Sequence, residues 1–305
     1  MARYIGKRLI ISVITIFILI TVVFFLLRSL PGDPFSATTM LQKELIEKLR
    51  DFYGLDRPLW EQYVNYMKNL LQGELGYSMQ YTNRTVTGII KDSFPVSASL
   101  GLRALAVGWP CGILLGIVAA RKRGKALDYI CIFISIAAVS VPSFILATLL
   151  QYLFGVKLGI LPVAQWKGFA YTILPVFSMA FGMLSSARGM RAYMLEVTSQ
   201  DYIKTAKAKG VPERRLIWRH MFRNAMLPIV TGLGPMVAGI LTGTFVIESI
   251  FVIPGLGSHF TKAIKGLDYT MAMGLVIFYS IFLVFANFMV DIGYVLVDPR
   301  VRITD

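Results

Sequence analysis

The chain has 305 residues, of which 56% are hydrophobic, and it carries a formal net charge of +14. Its mean hydropathy of +0.64 excludes a disordered chain and argues against an ordinary water-soluble domain. Both cysteines, Cys111 and Cys131, lie inside apolar stretches, so they predict no disulfide framework. The two histidines, His220 and His259, are far apart in sequence, which argues against a histidine-based metal or catalytic cluster.

Six long stretches of the chain are free of Asp, Glu, Lys and Arg, and each is long enough to cross a membrane as a helix. The hydrocarbon core of a bilayer needs about 20 apolar residues, and at that length only a helix satisfies its own backbone. The sequence therefore predicts an all-α membrane protein with six transmembrane helices. The predicted spans are residues 9–27, 104–120, 129–156, 168–187, 224–247 and 269–290.

The first and third of these spans have distinguishing features. Arg3, Lys7 and Arg8 precede the first span as they would in a signal peptide. The apolar stretch that follows is too long for one and lacks a clear cleavage site, so we expect a retained helix. Pro142 lies inside the third span and predicts a kink or an interfacial extension there.

The basic residues are distributed unevenly between the loops. Residues 1–8, 121–128, 188–223 and those after 297 hold 18 of the 31 Lys and Arg. Because cytoplasmic loops carry an excess of Lys and Arg, both termini are predicted to be cytoplasmic. The charge thus follows topology, and it lacks the interleaved aromatic residues that a single-stranded nucleic acid binder would show.

The segment after the first span is too long for a simple turn and carries helix punctuation. Gly54 and Gly73 are placed to end two helices, and Pro58 is placed to begin the second one. These signals predict a small helical extracytoplasmic cap, for which a packing cover is favoured over a direct ligand site. The predicted divisions are 1–30 (cytoplasmic start and first span), 31–95 (cap), 96–298 (five-helix core, with a cytoplasmic loop at 199–224) and 299–305 (cytoplasmic tail).

Breaker residues and absent motifs limit the possible mechanisms. Pro142 and the small-xxx-small pair Gly239 and Gly243 suit helices that pack closely or move against each other, although static packing explains them equally well. The sequence contains no Walker loop, no zinc motif and no acidic residue placed convincingly mid-membrane. We therefore expect no enzymatic activity and no cofactor in this chain; if the protein moves a solute uphill, its energy arrives from another subunit.

The densest basic segment, residues 201–228, carries seven Lys and Arg against two acids. It predicts a short helix at 200–209 that ends at Gly210, followed by a second helix that begins at Pro212 and Glu213. The small residues Thr205, Ala206 and Gly210 would allow another protein to approach closely. A basic helix lying at the membrane surface, explained by topology alone, remains an alternative.

This segment resembles the cytoplasmic coupling loop of ABC-importer permeases. Lys204, Thr205 and Ala206 stand where the general Glu-Ala-Ala is expected, with Gly210 at the right spacing. The glutamate is missing and Leu227-Pro228 comes about five residues late, as in the peptide-importer branch. Further motifs resemble the B-type permease of the oligopeptide, dipeptide, opine and nickel uptake family: YIGKRL, LPGDPF, FYGLDRPLWEQY, GELGYS, VIESIFVIPGLGSHF, DYTMAMG and DPRVR.

The resemblance implies a type I ABC importer permease fold in a bacterial or archaeal plasma (inner) membrane, in contact with lipid. It also implies a second, C-type permease, two cytoplasmic ATPases that bind ATP and Mg, an outer substrate-binding protein, and peptide as the substrate. The residues it assigns to ATPase docking are Asp201, Thr205, Ala206, Lys209, Gly210, Arg219, His220 and Asn224. Permeases for nickel, glutathione or another small solute remain alternatives, as does, from outside the family, a self-contained carrier or channel or a membrane scaffold.

Overall fold

The computed structural model describes residues 2–32, 34–35, 43–241 and 244–297. Within these ranges the chain is helical, apart from turns and an isolated antiparallel bridge between Tyr77 and Thr85. The all-α prediction is therefore confirmed. Gly243 and the predicted tail 299–305 lie outside the described residues.

Among the described residues, helix follows helix with no β-sheet between them. In order they are α1 (Ala2–Arg28), α2 (Lys43–Phe52), α3 (Leu59–Leu71), α4 (Val86–Arg121), α5 (Ala126–Ser140), α6 (Ser143–Leu150), α7 (Ala170–Met183), α8 (Ser186–Thr198), α9 (Asp201–Ala208), α10 (Glu213–Arg215), α11 (Phe222–Thr231), α12 (Leu233–Leu241), α13 (Phe245–Ile250), α14 (Leu256–Lys265) and α15 (Tyr269–Val297). π-Helical turns continue α6 over Gln151–Lys157 and α10 over Leu216–Met221.

Among the described residues, four helical stretches are long and apolar enough to cross a membrane. They are Leu9–Arg28, Val86–Arg121, Ala170–Thr198 and Tyr269–Met289. The helices on either side of Pro142 pass the same test as a pair, although they are bent by 98°. The expected span 224–247 is divided between α11, α12 and the start of α13, and residues 242–243 are not described. The count of six spans therefore stays a prediction.

The predicted kink at Pro142 is confirmed. α5 ends at Ser140, Val141 is extended with a ψ of 113°, and Pro142 lies directly before α6. Proline lacks the N–H that would continue the helix and forces the preceding residue out of helical geometry. The 98° bend follows from this local restriction.

α4 begins at Val86, well before the predicted start of its span at residue 104. The Thr85 side chain caps the helix by accepting a hydrogen bond from Gly88 N. The predicted start was late because it was set by the length of the stretch without charged residues. Such a stretch shows what fits in the bilayer, but the helix itself continues past charged residues such as Arg103. The boundary placed at residue 95 between cap and core consequently falls inside α4, at a proline that the long helix includes.

α4 also provides the close-packed seam of the bundle, which the glycine pattern of the sequence had suggested at Gly239 instead. A Cβ atom on Gly108, Gly112 or Gly116 would lie 2.6–2.8 Å from a backbone oxygen of α7 or α8. Only glycine lets the backbone of α4 come this close to those of α7 and α8. The three glycines are four residues apart, so they lie on one face of α4. A Cβ on Gly239, by contrast, would meet nothing within 4 Å.

The segment predicted to form the cap contains two helices, α2 and α3, with the predicted ends. Gly54 and Gly73, just past α2 and α3, have φ angles of +63° and +81°, which favour glycine. Tyr63 of α3 is buried against α1, where its hydroxyl lies 2.8 Å from that of Thr21. Met67 and Leu70 pack beside it, whereas Leu59, which shares their face by spacing, stays 50% exposed.

Two buried carboxylates fasten the segments on either side of α14 to the rest of the protein. Asp268 accepts hydrogen bonds from Ser78 Oγ and from the backbone N–H of Met79, and so ties the cap to the start of α15. Glu248 accepts from Ser97 Oγ at 2.8 Å and from Ser258 N at 3.1 Å, so the turn between α13 and α14 is fastened to α4. Buried charges persist in this way only when hydrogen bonds compensate their lost hydration.

Candidate functional site

The basic segment folds into two helical pieces, as predicted. The first is α9, within a residue of the predicted 200–209 at each end, and the second runs from α10 through the π-helical turn into α11. The negative charge of Asp201 in the first turn of α9 and the positive charge of Lys207 in its last turn favour this short helix. The basic segment is thus helical, and the loop charges predict that it lies on the cytoplasmic side.

Gly210 separates the two pieces through its backbone conformation. Its φ is +72°, its N–H donates to Lys207 O at 3.0 Å, and the N–H of Val211 donates to Ala206 O at 3.2 Å. This pair of bonds is the Schellman ending of a helix, which needs a residue in the left-handed region. Residues with a Cβ, other than Asn and Asp, are strained by about 1–2 kcal/mol in that region.

α9 is attached to the rest of the protein by its apolar stripe. Ile203 is fully buried, and Ala206, three residues later on the same face, is partly buried beside it. The cluster that receives them consists of Ile113, Ile117, Met190, Met194, Leu216, Ile217, Met221 and Ala225. Ala206 therefore faces the protein's own core and does not share one free surface with Thr205 and Gly210, because an amphipathic helix turns its apolar stripe inward.

The opposite side of α9 is exposed and predominantly basic. Lys204 Nζ donates to Asp201 Oδ1 at 2.9 Å, and Thr205 Oγ1 donates to Asp201 O at 3.0 Å. Lys207 and Lys209 form no ion pair with a described residue. Side chains on this face are small or flexible, so a second protein could lie close to the helix.

A side-chain bridge connects α9 to α11 across Gly210. Asn224 Nδ2 donates to the Tyr202 hydroxyl at 2.9 Å and to His220 O at 2.8 Å. The bridge places Asn224, one of the residues assigned to docking, beside α9 and joins it to the backbone of His220 one turn earlier. Arg219 is exposed on the π-helical turn and makes no ion pair within the described residues. Tyr202, which sequence reasoning did not select, completes the bridge.

A buried ion pair, also missed from the sequence, fixes the helix that leads into α9. Arg191 of α8 donates from Nε to Asp128 Oδ1 at 2.7 Å and from Nη2 to Oδ2 at 2.8 Å. Gly124 N donates to the same carboxylate at 2.9 Å, and the Asp128 side chain is 3% exposed. The sequence signal was Asp128 itself, because it is the single acid in the basic segment 121–128.

A second ion pair links the segment 121–128 to the basic segment. Arg121, at the end of α4, donates to Glu213 Oε1 at 3.1 Å, although both side chains are largely exposed. In the part of the chain that the structure describes, no group of three or more His, Cys, Asp or Glu residues is arranged to hold a metal ion. The site consists of the exposed face of α9 and of the helices α5, α8 and α11 that are linked to it directly or through one another.

Comparison with known proteins identifies the family. Residues 112–303 match the family model described as a binding-protein-dependent transport system inner membrane component, and residues 1–101 match the model for the N-terminal part of such membrane components. The dipeptide transport system permease protein DppB of Bacillus subtilis is 40% identical over 304 residues, which is 99% of each chain. The oligopeptide transport system permease protein OppB of Haemophilus influenzae is 39% identical over 99% of this chain and 100% of its own length.

A solved structure agrees in fold. The MetNI methionine ABC transporter, in an inward-facing conformation, aligns with a TM-score of 0.52 at 15% identity, over 69% of this chain and 96% of the chain compared. The shared fold is that of an ABC importer permease. The chain therefore belongs to the family of inner membrane components of binding-protein-dependent transport systems, and it is a multi-pass transport subunit rather than an enzyme.

Proposed function

We propose that this chain is one of two permease subunits of an ATP-driven importer of short peptides. It would form half of the pathway, receive peptide from an outer binding protein, and take its energy from a cytoplasmic ATPase docked on α9. The names of its relatives, which are dipeptide and oligopeptide permeases, support the substrate class. The excess of Lys and Arg in residues 1–8, 121–128 and 188–223 supports cytoplasmic termini.

The observation that carries the docking proposal is the two-sided character of α9. Ile203 anchors one face completely, while Thr205, Lys209 and Gly210 on the other face are exposed. A small, basic and uncovered helix face suits a groove on a partner with acidic side chains, because opposite potentials favour such an interface. The ATP and Mg would be bound by that partner.

Energy would pass from α9 to the pathway through contacts within this chain. If the docked ATPase pulls α9 as its dimer closes on ATP, Ile203 would move the buried cluster and Tyr202 would pull Asn224 of α11. The ion pair of Arg191 with Asp128 would keep α8 fixed to α5 during this movement. A hydrogen-bonded link and a packed anchor can carry such a displacement because protein interiors are close-packed.

The second permease would cover surfaces that this chain leaves open. A Cβ atom added to Gly239 would have no neighbour within 4 Å, so in the assembly this glycine is available for close packing against a partner helix. The division into a first span, an outer cap, a five-helix core and a tail belongs to this proposal, with the core beginning along α4.

Paired glycine variants test the docking assignment. Gly210 and Gly159 both have left-handed φ angles, +72° and +63°, and a Cβ on either one meets nothing within 4 Å. Phenylalanine at either position introduces a comparable backbone strain, but only Gly210 lies beside the proposed docking face. We expect Gly210→Phe to abolish ATP-driven peptide uptake while Gly159→Phe retains most of it, with equal amounts of both proteins in the membrane. Normal uptake by Gly210→Phe, or equal loss by both, would contradict docking at α9.

Purification of the tagged chain from its native membranes tests the assembly. A second permease and ATPase subunits should accompany it, and their ATP hydrolysis should rise when a peptide-loaded outer protein is added. Uptake by vesicles that contain this chain alone would instead support a self-contained carrier.

A further inference from the structure

An open cavity of about 550 Å³ lies in the outer cap, bounded by the end of α1, by α3 and by the turns on either side of α3. Its volume falls within the range of about 300–1,000 Å³ that is usual for small-molecule sites. The wall carries the cations Arg28, Arg57 and Lys68 and the carboxylates Asp51 and Glu74. None of these five forms an ion pair with any residue that the structure describes.

Two residues that line this cavity each carry a buried polar atom without a partner. The Gln62 amide nitrogen donates to Leu55 O at 3.1 Å and to Arg57 O at 2.7 Å, which fixes the orientation of the amide. Its Oε1 then remains buried and accepts no hydrogen bond, and the Tyr66 hydroxyl is buried and unpartnered as well. Buried polar atoms are nearly always hydrogen-bonded in native proteins, so each of these two requires an explanation.

Arg28, one of the three cations at the cavity wall, is held in place by aromatic rings. The Arg28 guanidinium lies 4.8 Å from the ring centroid of Tyr269 and 5.6 Å from that of Phe24. These contacts orient the group while leaving its N–H donors without a carboxylate. Burial raises the pKa of Tyr66, so its hydroxyl stays protonated and can donate to an anion.

We propose that this cap cavity binds a short zwitterionic peptide, whose carboxylate is held by Arg28 and Tyr66 and whose N–H groups satisfy Gln62 Oε1. An unpaired cation needs an anion and an unpaired acceptor needs a donor, and a peptide carries both within a few ångströms. The carboxylates of Asp51 and Glu74 suit its ammonium group and disfavour a purely anionic ligand. The assignment to cargo peptides rests on the proposed function and adds an outer site, separate from the docking helix.

Binding of radiolabelled tri-alanine tests the proposal directly. The assembled transporter, in nanodiscs and without the outer binding protein, is equilibrated with the peptide by dialysis. Tyr66→Phe removes only the hydroxyl, and Arg28→Gln removes the charge; we expect each to weaken binding about tenfold or more, as for other hydrogen bonds to charged groups. Arg103→Gln is the matched control, because Arg103 also lies over aromatic rings, Trp166 and Phe169, but outside the cavity. Its binding should stay within about twofold of the unaltered protein.

Two further arms separate the possible ligands. Tri-alanine that is acetylated at its amine and amidated at its carboxylate should not bind. Equal binding of this blocked peptide, or unchanged binding by both cavity variants, would overturn the proposal. Displacement of tri-alanine by phosphatidylethanolamine in the nanodisc would also overturn it and would assign the cavity to a lipid headgroup.

ATP-driven uptake, measured separately with the outer binding protein present, distinguishes failure of the cavity assignment from failure of the proposed importer function. If uptake proceeds but tri-alanine does not bind without that protein, the cavity assignment fails and the importer function stands. If uptake itself is absent, the proposed function fails, and the binding assay still decides whether the cavity holds a peptide.

Discussion

Replacement of Arg191 by methionine is expected to destabilise the protein strongly. The substitution removes two hydrogen bonds, at 2.7 and 2.8 Å, from a carboxylate whose side chain is 3% exposed. Asp128 would keep Gly124 N as its remaining donor. Breaking a buried pair by removing one partner typically costs about 3–5 kcal/mol, since it leaves an uncompensated buried charge.

The double variant separates charge burial from lost packing. Asp128→Asn alone should cost less than Arg191→Met, because the Arg191 side chain is 25% exposed and can reach water. The combination Asp128→Asn with Arg191→Met leaves no buried charge, so it should recover most of the loss. A non-additivity of about 2 kcal/mol or more is therefore expected between the two sites.

Thermal unfolding of the purified transporter, followed by intrinsic tryptophan fluorescence, measures this effect. Arg121→Met is the control, because the pair of Arg121 with Glu213 is exposed by 48% and 71% on its two sides and should contribute less than about 1 kcal/mol. Arg191→Met should also reduce peptide-stimulated ATP hydrolysis, because α8 leads directly into α9. If Arg191→Met were as mild as Arg121→Met, or if the double variant recovered nothing, the buried-pair reasoning would be refuted.

Three further predictions concern packing, pH and strain. Gly108→Ala should destabilise by about 1–2 kcal/mol through the clash with Ala180, whereas Gly239→Ala, with open space around it, should not; equal melting temperatures would contradict the seam. Burial lowers the pKa of His259 to about 4. The contribution of His259 to the free energy of unfolding is therefore fully present above about pH 6.5 and should fall by about 1–2 kcal/mol as the pH drops towards 4. His259→Phe should remove that dependence in melts recorded at pH 7 and pH 5. Val252 has a φ of +53° and is 63% exposed, so Val252→Asn should stabilise by about 1 kcal/mol, and a lower melting temperature would count against strain there.

Features governed by neighbouring residues in the chain could be predicted from the sequence. The bend at Pro142 and the helix ends at Gly54, Gly73 and Gly210 depend on a missing N–H or a left-handed φ, which each residue type determines locally. The apolar stretches predicted an all-α membrane protein because a helix forms its backbone hydrogen bonds between residues close in sequence. Motif resemblance to importer permeases added the family, which the comparisons confirm.

Features that depend on distant residues required the tertiary structure. The sequence predicted that Thr205, Ala206 and Gly210 would allow a partner to approach, but which face of α9 turns inward depends on the cluster formed by α4, α8 and α11. Asp128 and Arg191 are separated by 63 positions, and the cap cavity combines the end of α1 with α3 and α15. No local propensity encodes such pairings, because their free energy arises only when packing excludes water from groups far apart in the chain.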